Sequence, residues 1–526
     1  MKTQSTDKMF RYSTKVLLAI LLIIPLIPLC GFSQGVNVIP KPQQVVMKEG
    51  KFDMKSNCFE LITVCSFPSG SGPDTVIDFH YFRKRFEDGY YKSSNGNVNL
   101  KMSLCGKPVV VRKLPVLDAI LGVEGYQLTI SKDSIVLSSN HPTGIYRGIC
   151  TLDQMIAADS GRSLPCCEII DYPQYSYRAM HLDVCRHFFS KEFIKKYIDQ
   201  LAYYKINTLH WHLTDDQGWR IEIKKYPKLT EIGSWRIEKD SSRYGGYYTQ
   251  EDIKEIVAYA KERFITIIPE IEMPGHSSAA LAAYPHLGCT GNGICVPTTW
   301  GIKKDIYAPT DTVFRFFEEV MDEICALFPG RYIHIGGDEA PKAQWKSSPV
   351  AQNVIKQNKL KDEEELQHYF MHRVEKYLNK KGKRAIGWGE VVKGGLSDSI
   401  VVMTWISKAA GIKAAKHGND VIMAPRGFCY FDYPQEGDAP KAFWMLPLPL
   451  KKVYAFNPIP KSLIGPASKR IMGGEATLWT EYVSTEAQAE HQLMPRLAAL
   501  SEALWTSPSR KNYKDFTERL KVIYIK

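Results

Sequence analysis

Two adjacent carboxyl groups are the residues of this sequence best suited to chemistry. Asp338 and Glu339 follow the apolar segment 332–336 and complete the motif His-Ile-Gly-Gly-Asp-Glu. At short range each carboxylate disfavours ionisation of the other, which raises the pKa of one of them. A general acid that works near neutral pH requires such a raised pKa. For this motif taken alone, a solvated acidic pair that caps the next helix is the open alternative.

Polar and aromatic residues also end most of the other apolar segments in the second part of the chain. These segment ends comprise residues 183–187, 212–216, 270–276, 337–339, Trp388, Trp405 and 479–481. A requirement for stability alone would not place acids and indoles at the same end so consistently. The pattern is typical of an active site assembled from the carboxyl ends of parallel strands.

The elements that must position these residues alternate between strand and helix. Apolar strand segments are predicted at 179–184, 208–213, 265–270, 332–336, 384–388, 400–405, 421–424 and 471–479. Helices are predicted at 191–204, 250–263, 312–327, 362–381, 408–417 and 486–504. Eight strands with intervening helices predict an α/β fold, a (β/α)8 TIM barrel over residues 172–526. A doubly wound open sheet is the alternative, but no Gly-x-Gly-x-x-Gly motif follows any of these strands.

Residues 36–171 follow a different pattern. Short alternating runs at 126–130 and 134–137 predict strands, and the stretches around 76–88 and 143–158 look helical. Strands and a few helices without a regular βα rhythm predict a smaller α+β domain ahead of the barrel. The segment Asp-Tyr-Pro at 171–173 is a natural joint between the two domains.

The first 33 residues have the pattern of a secretory signal peptide. Basic residues precede the apolar run 16–30, and small residues follow it. We therefore expect an exported protein, periplasmic or on the outer surface, with no transmembrane span. Cys30 makes a lipoprotein the alternative, although Leu29 is bulky where lipoprotein signals prefer a small residue.

Charge and cysteine spacing exclude several classes of function. The net charge is +12, but Lys and Arg are scattered without a run of five, which argues against a nucleic-acid partner. The 12 cysteines contain no Cys-x-x-Cys pair, so a zinc ribbon or a dithiol redox site is not expected. Cys289 and Cys295 bracket a glycine-rich loop and are the best disulfide candidates, the alternative being that most cysteines are small buried apolar residues.

Several long motifs resemble those of the family 20 glycoside hydrolases, the β-N-acetylhexosaminidases. The segment 334–339 resembles the catalytic motif of that family. Residues 178–188 (RAMHLDVCRHF), 210–216 (HWHLTDD), 274–276 (PGH) and 473–481 (GGEATLWTE) are similar to its first, second, third and last barrel strands. The resemblance extends over most of residues 36–505, and the motifs occur in the family's order.

The resemblance implies an exo-acting, retaining enzyme that removes terminal β-linked N-acetylglucosamine or N-acetylgalactosamine from glycans. In this family the 2-acetamido carbonyl of the substrate attacks C1 and forms an oxazolinium intermediate, an exception to the two-carboxylate mechanism. Glu339 would protonate the leaving oxygen and later deprotonate water. Asp338 would orient the acetamido N–H and stabilise the developing positive charge.

The resemblance also implies binding roles. Arg178 would clamp the O3 and O4 hydroxyls with its planar fork, and Asp215 and His276 would tune the proton affinity of Glu339. Tyr430 would donate to the acetamido carbonyl, and Asp432 and Glu481 would hold the outer hydroxyls. The walls of the pocket would be three indoles, those of Trp388, Trp405 and Trp479, the last stacked under the sugar ring.

No cofactor or metal is implied by the resemblance. His210 and His212 lie on one side of a strand and mimic a metal-binding pair, but without a third ligand at helical spacing we favour hydrogen-bonded barrel residues. The expected partner is a glycan with a terminal β-N-acetylhexosamine, and a homodimer is left open. Two alternatives remain: a sugar-binding protein without activity, and a hydrolase that prefers another bond and releases a disaccharide or a sulfated sugar.

Overall fold

The structure, a computed structural model, describes residues 35–53, 59–63, 100–104, 107–114, 116–158 and 163–524. Residues Val36–Lys526 form one compact unit. The predicted signal peptide, including Cys30, and the helix predicted at 76–88 lie outside the described residues. Among the helices of the described part, none is long and apolar enough to cross a membrane.

The N-terminal part contains a mixed seven-stranded sheet. Its strands are β1 Gln44–Asp53, β2 Phe59–Thr63, β3 Leu100–Leu104, β4 Lys107–Lys113, β5 Tyr126–Ile130, β6 Ile135–Ser139 and β7 Ser163–Asp171, in the spatial order β1-β7-β5-β6-β4-β3-β2. Only β4 and β6 pair in parallel. Alternate residues of β5 (Tyr126, Leu128, Ile130) are buried, as expected for a strand with one face on a core. Helix α1 (Pro142–Ala158) contributes to that core.

Eight parallel strands form a closed barrel in the second part of the chain, which confirms the predicted fold. They are β8 Tyr177–Asp183, β9 Thr208–His212, β14 Thr266–Glu270, β15 Tyr332–His334, β16 Arg384–Trp388, β17 Val401–Thr404, β18 Val421–Met423 and β19 Ile471–Ala476. Two short antiparallel pairs follow β9: β10 Thr214–Asp215 with β11 Gly218–Trp219, and β12 Trp235–Ile237 with β13 Arg243–Gly245.

Helices connect the barrel strands. They are α2 Lys191–Tyr203, α3 Lys228–Glu231, α4 Gln250–Glu262, α5 Ser278–Ala283, α6 Asp311–Leu327, α7 Ala343–Ser347, α8 Pro349–Gln357, α9 Glu363–Lys380, α10 Lys408–His417, α11 Arg426–Cys429, α12 Leu450–Tyr454, α13 Glu486–Leu493, α14 Arg496–Trp505 and α15 Tyr513–Tyr524. The prediction of a single helix over 486–504 is wrong. The helix is interrupted at Pro495, whose ring nitrogen has no N–H to donate.

The disulfide expected between Cys289 and Cys295 is absent, and both side chains are free thiols. Cys289 is partly buried, and its backbone N–H donates to the Ile306 carbonyl at 3.3 Å. Cys295 is exposed. The loop is therefore held by backbone hydrogen bonds instead of a covalent bridge.

Candidate active site

A sharp backbone turn after β15 presents the two catalytic candidates. Gly336 and Gly337 have φ of 63° and 94°, and Glu339 has φ of 44°. The glycines adopt this left-handed region at little cost, whereas Glu339 is strained in it. A Cβ on Gly336 would lie 1.8 Å from Glu272 Oε2, so a side chain there would displace a neighbouring carboxyl group. The turn thereby requires glycine on steric and conformational grounds.

His276 links the two carboxyl groups to Asp215. Its Nδ1 lies 3.2 Å from Asp215 Oδ1, and its Nε2 lies 3.6 Å from Asp338 Oδ2 and 3.8 Å from Glu339 Oε2. Asp215 in turn lies 2.8 Å from a guanidinium nitrogen of Arg186. Asp215, His276, Asp338 and Glu339 thus form one continuous charged cluster, as the sequence motifs predicted for residues from three separate strands.

The environment of this cluster shifts its pKa values in a consistent way. Burial raises the pKa of Asp338 to about 7; Glu390 and Glu339 add to the increase and His276 opposes it. Burial alone would lower the pKa of His276, but Asp215 and Asp338 outweigh it and hold that pKa well above its ordinary value. Burial thus raises the pKa of Asp338, the residue implied to face the acetamido group, whereas the sequence motif predicted a raised pKa for the general acid, the role implied for Glu339.

Three indoles surround this cluster at the ends of the barrel strands. Trp388 is buried and donates through Nε1 to Glu270 Oε1 at 2.7 Å. Trp405 donates to Glu390 Oε2 at 2.9 Å and stacks with Tyr430, with ring centroids 6.1 Å apart. Trp479 is partly exposed, and its ring lies 5.9 Å from that of Trp388. The three side chains can form the apolar walls of a small pocket.

Asp432 and Glu481 are two further carboxyl groups close enough to interact electrostatically. Burial, followed by the charge of Glu481, raises the pKa of Asp432 well above its usual range. Burial also raises the pKa of Glu481, and the nearby Arg186 opposes that shift. Asp432 Oδ1 is buried and has no hydrogen-bond partner within the described residues. These oxygens suit a ligand that brings hydroxyl donors.

The role expected for Arg178 is wrong, because this side chain does not lie at the site. Arg178 is the second residue of β8, five residues before Asp183, which puts about 16 Å of strand between them. Its guanidinium donates to Glu124 at 2.6 and 3.0 Å and stacks over Trp505 at 4.9 Å. Burial opposes ionisation of Glu124, but Arg178 and Arg147 outweigh it and lower the pKa of Glu124 to about 2. Arg178 therefore joins the N-terminal part to the barrel.

Arg186, at the other end of the same motif, occupies the position that sequence reasoning gave to Arg178. Its guanidinium lies over the Trp479 ring at 5.1 Å. Its nitrogens lie 2.8 Å from Asp215, 3.2 Å from Asp183 and 3.9 Å from Glu481. The position of Arg186 just after the end of β8 could have identified it from the sequence, because barrel enzymes keep their active sites at the carboxyl ends of the strands.

His210 and His212 are hydrogen-bonded barrel residues, as the sequence analysis favoured. His210 lies 2.7 Å from Glu475 Oε1 and 3.2 Å from Glu270 Oε2. His212 contacts Glu270 and, at 3.0 Å, Asp215. Burial would lower the pKa of His210, but Glu475 and Glu270 outweigh it and raise the pKa to about 10. This buried network holds Trp388 through Glu270 and Asp215 through His212.

The sequence analysis assigned no role to two further carboxyl groups at the site, although Glu272 lies in the polar segment 270–276. Glu390 accepts the Trp405 indole hydrogen and is close enough to Asp338 to raise its pKa. Glu272 is 2% exposed, and neither of its carboxyl oxygens has a hydrogen-bond partner in the described part of the chain. Burial, then the charges of Asp338 and Glu270, raise the pKa of Glu272 well above its ordinary value.

Glu272→Gln should stabilise the protein increasingly as the pH rises. Because the pKa of Glu272 is higher in the folded than in the unfolded chain, this residue's contribution to stability declines as pH rises above 4.5. Glutamine lacks this dependence, so the variant should gain up to about 1.4 kcal/mol per pH unit relative to wild type until the folded pKa is passed. Denaturant unfolding at pH 5 and pH 7 measures the difference, and parallel stability curves would contradict the assignment.

Comparisons with known proteins agree with this geometry. The model of the family 20 glycosyl hydrolase catalytic domain matches residues 175–508, and that of domain 2 of the same family matches residues 35–172. A β-hexosaminidase of Porphyromonas gingivalis is 42% identical over 504 residues, 93% of this chain and 63% of that protein. A β-hexosaminidase of Akkermansia muciniphila is 34% identical over 412 residues, 76% of this chain and 83% of that protein.

Solved structures give the same result. The GH20 exo β-N-acetylglucosaminidase of Vibrio harveyi, in complex with N-acetylglucosamine, is 34% identical with a TM-score of 0.79, covering 92% of this chain and 76% of that chain. The β-N-acetylhexosaminidase of Bacteroides fragilis is 31% identical with a TM-score of 0.76, covering 93% and 95%. The chain spans less than two thirds of two curated relatives, 63% of the P. gingivalis protein and 66% of one from Vibrio furnissii. With both family domains matched in order and the acidic cluster in place, the chain belongs to glycosyl hydrolase family 20.

Proposed function

We propose that this protein is an exo-acting, retaining β-N-acetylhexosaminidase that removes terminal β-linked N-acetylglucosamine or N-acetylgalactosamine. The observation that carries the proposal is the geometry of His276, whose Nε2 lies within 4 Å of both Asp338 and Glu339 while Nδ1 faces Asp215. This places a proton donor beside a carboxylate that can face a developing cation. The indoles of Trp388, Trp405 and Trp479 supply apolar surfaces that suit the methyl group of an acetamido substituent.

In the first step the acetamido carbonyl oxygen of the substrate forms a bond to C1 as the bond from C1 to the leaving oxygen breaks. Glu339 gives its proton to that leaving oxygen, which departs as an alcohol. Asp338 accepts the acetamido N–H and faces the positive charge of the oxazolinium. A dry site makes this interaction stronger than it would be in water. The ring closure is intramolecular, so it benefits from proximity.

In the second step water attacks C1 from the side that the leaving group vacated. Glu339, now a carboxylate, takes a proton from that water, and the oxazolinium ring opens to restore the acetamido group. Two inversions at C1 give net retention. The raised pKa of Asp338 fits this sequence, because a buried carboxyl group gains most when a cation develops beside it.

Side-by-side assays of p-nitrophenyl β-glycosides of GlcNAc, GalNAc and glucose test the proposal. We expect hydrolysis of the two N-acetyl sugars and little or none of the glucoside. A thiazoline analogue of N-acetylglucosamine, which mimics the cyclised intermediate, should bind far more tightly than N-acetylglucosamine itself. Comparable cleavage of all three glycosides, or a glycosylated Asp338 after treatment with a 2-fluoro sugar, would contradict the mechanism. Absence of any turnover would favour a sugar-binding protein.

Arg186→Lys and Arg178→Lys form a matched pair that separates sugar binding from domain attachment. Lysine cannot reproduce the bidentate fork of arginine. Because a hydrogen bond to a charged group contributes about 1.5–3 kcal/mol, Arg186→Lys should reduce kcat/KM by about 10- to 100-fold. Arg178→Lys should leave KM and kcat close to wild type and lower the thermal midpoint, because it weakens the buried pair with Glu124. Kinetics and thermal unfolding of both variants check this. A larger KM effect from Arg178→Lys than from Arg186→Lys would assign the sugar-binding role to Arg178 instead of Arg186.

Export also belongs to the proposal, supported by the basic and apolar pattern of residues 1–33. Cell fractionation of the native host, with the enzyme followed by its hydrolase activity, tests it. We expect activity in the periplasm or at the outer surface, and activity confined to the cytoplasm would contradict the expectation.

A further inference from the structure

Three potential metal-ligand atoms face one point in the pocket. His276 Nε2 lies 3.6 Å from Asp338 Oδ2 and 3.8 Å from Glu339 Oε2, and one ligand atom from each residue lies within 4.8 Å of the other two. His276 Nε2 and Asp338 Oδ1 are buried without a hydrogen-bond partner in the described chain. An imidazole nitrogen and two carboxylate oxygens are ligands that Zn²⁺ accepts.

The distances are close to those of a tetrahedral ion. Zinc bonds of about 2.0–2.2 Å at a tetrahedral angle put neighbouring ligand atoms roughly 3.3–3.5 Å apart. The two separations from His276 Nε2, 3.6 and 3.8 Å, differ from this by a few tenths of an ångström, and the Asp338 and Glu339 oxygens lie within 4.8 Å of each other. Three protein ligands would leave a fourth position open toward the pocket.

The residues around these three atoms would support such an ion. With Nε2 bound to a metal, Nδ1 carries the hydrogen and donates it to Asp215 Oδ1 at 3.2 Å, the carboxylate–histidine arrangement that orients metal-binding imidazoles. Glu390 adds a further nearby acidic group.

A second cluster, formed by His212, Glu270 and Glu272, is less suited to an ion. His212 Nδ1 and Nε2 already pair with Glu270 and Asp215, and all three residues are buried inside the barrel. By contrast the side chain of Glu339 is 35% exposed, so an ion can reach it from solvent. The pocket cluster combines an unpaired ligand atom, His276 Nε2, with access from solvent.

We propose that the pocket binds one divalent cation of the zinc class through His276, Asp338 and Glu339, and that this ion excludes the substrate. The ion is an inhibitor and not a cofactor, because it would occupy the atoms that the acetamido group and the leaving oxygen must reach. Free zinc would then reversibly switch off the activity by competition.

Titration calorimetry of the tag-free protein with ZnCl₂ alone, in a buffer that does not chelate, tests the binding. We expect one site per chain, weakened at least about 10-fold by His276→Asn and by Asp338→Asn. His286→Asn, at an exposed position of the 3-10 helix Pro285–Leu287, is the matched control and should bind as wild type. No binding, or equal binding in the His276→Asn and wild-type proteins, would overturn the proposal.

Steady-state kinetics with p-nitrophenyl β-GlcNAc at several fixed zinc concentrations tests the competition. We expect the apparent KM to rise with zinc while kcat stays constant. A fall in kcat at constant KM would overturn the claim that the ion and the substrate share one site. Calorimetry needs no turnover, so a protein that binds zinc but hydrolyses nothing would contradict the proposed function and leave the metal site intact.

Discussion

Glu339→Gln should abolish most hydrolysis of glycans whose leaving group is an ordinary sugar alcohol, while p-nitrophenyl glycosides lose much less. Glutamine keeps the shape of the side chain but has no proton to give. General acid catalysis typically contributes 10²–10⁴-fold, so we expect a loss of at least about 10²-fold on a disaccharide substrate. The p-nitrophenolate ion departs without protonation, so loss of the general acid slows the first step little with this substrate. The remaining loss on the aryl substrate reflects the missing base in the second step.

Glu390→Gln is the matched control for this experiment. Glu390 also borders the acidic cluster, but its carboxylate holds the Trp405 indole at 2.9 Å. Any loss it causes should act through the pocket wall, so it should reduce both substrate types by the same factor. The ratio of kcat/KM for the disaccharide to that for the aryl glycoside is the measured quantity. An unchanged ratio in Glu339→Gln would remove Glu339 from the role of acid.

Asp338→Asn should lower kcat by about 10²-fold or more with little change in affinity. The substitution keeps the shape but removes the negative charge that faces the oxazolinium, and that charge stabilises the transition state more than the bound substrate. A loss of 10²-fold corresponds to roughly 2.7 kcal/mol at 25 °C, which one well-placed charge in a dry site can supply. The structure supports this magnitude, since the Asp338 side chain is only 11% exposed.

Substrates with a 2-hydroxyl in place of the N-acetyl group are the control for Asp338→Asn. They should be poor substrates of the wild type and lose little more in the variant, because the group that Asp338 contacts is already missing. A loss by the same factor on both substrates would mean that Asp338 acts on something else.

The pH profile gives an independent test of Asp338. Its pKa of about 7 means that the carboxyl group of the free enzyme becomes protonated as the pH falls through that value. Because kcat/KM reports the free enzyme, wild-type kcat/KM should decline on the acid side near pH 7. Asp338→Asn should lack this decline, and a profile with the same acid limb in both proteins would contradict the assignment.

The sequence by itself was sufficient for the barrel and for most of the site. Apolar runs of strand length alternating with helices predict parallel strands, and the barrel geometry then requires their carboxyl ends to meet. This is why Asp215, His276 and Asp338, which follow three different strands, could be placed together before any coordinates. Their distances, 3.2 and 3.6 Å from the two nitrogens of His276, follow from that convergence.

Only the tertiary structure decided which arginine belongs to the site and which carboxyl group has the raised pKa. Arg178 and Arg186 occur in one motif, but a strand separates its two ends in space, so one arginine contacts Glu124 and the other lies over Trp479. Two adjacent acids predict that the pKa of one of them rises, but their adjacency does not say which one. At Asp338 the pKa is determined by burial, which raises it, and by the nearby His276, which lowers it. Chain direction and local spacing are properties of sequence, whereas desolvation and long-range charge exist only once the chain has folded.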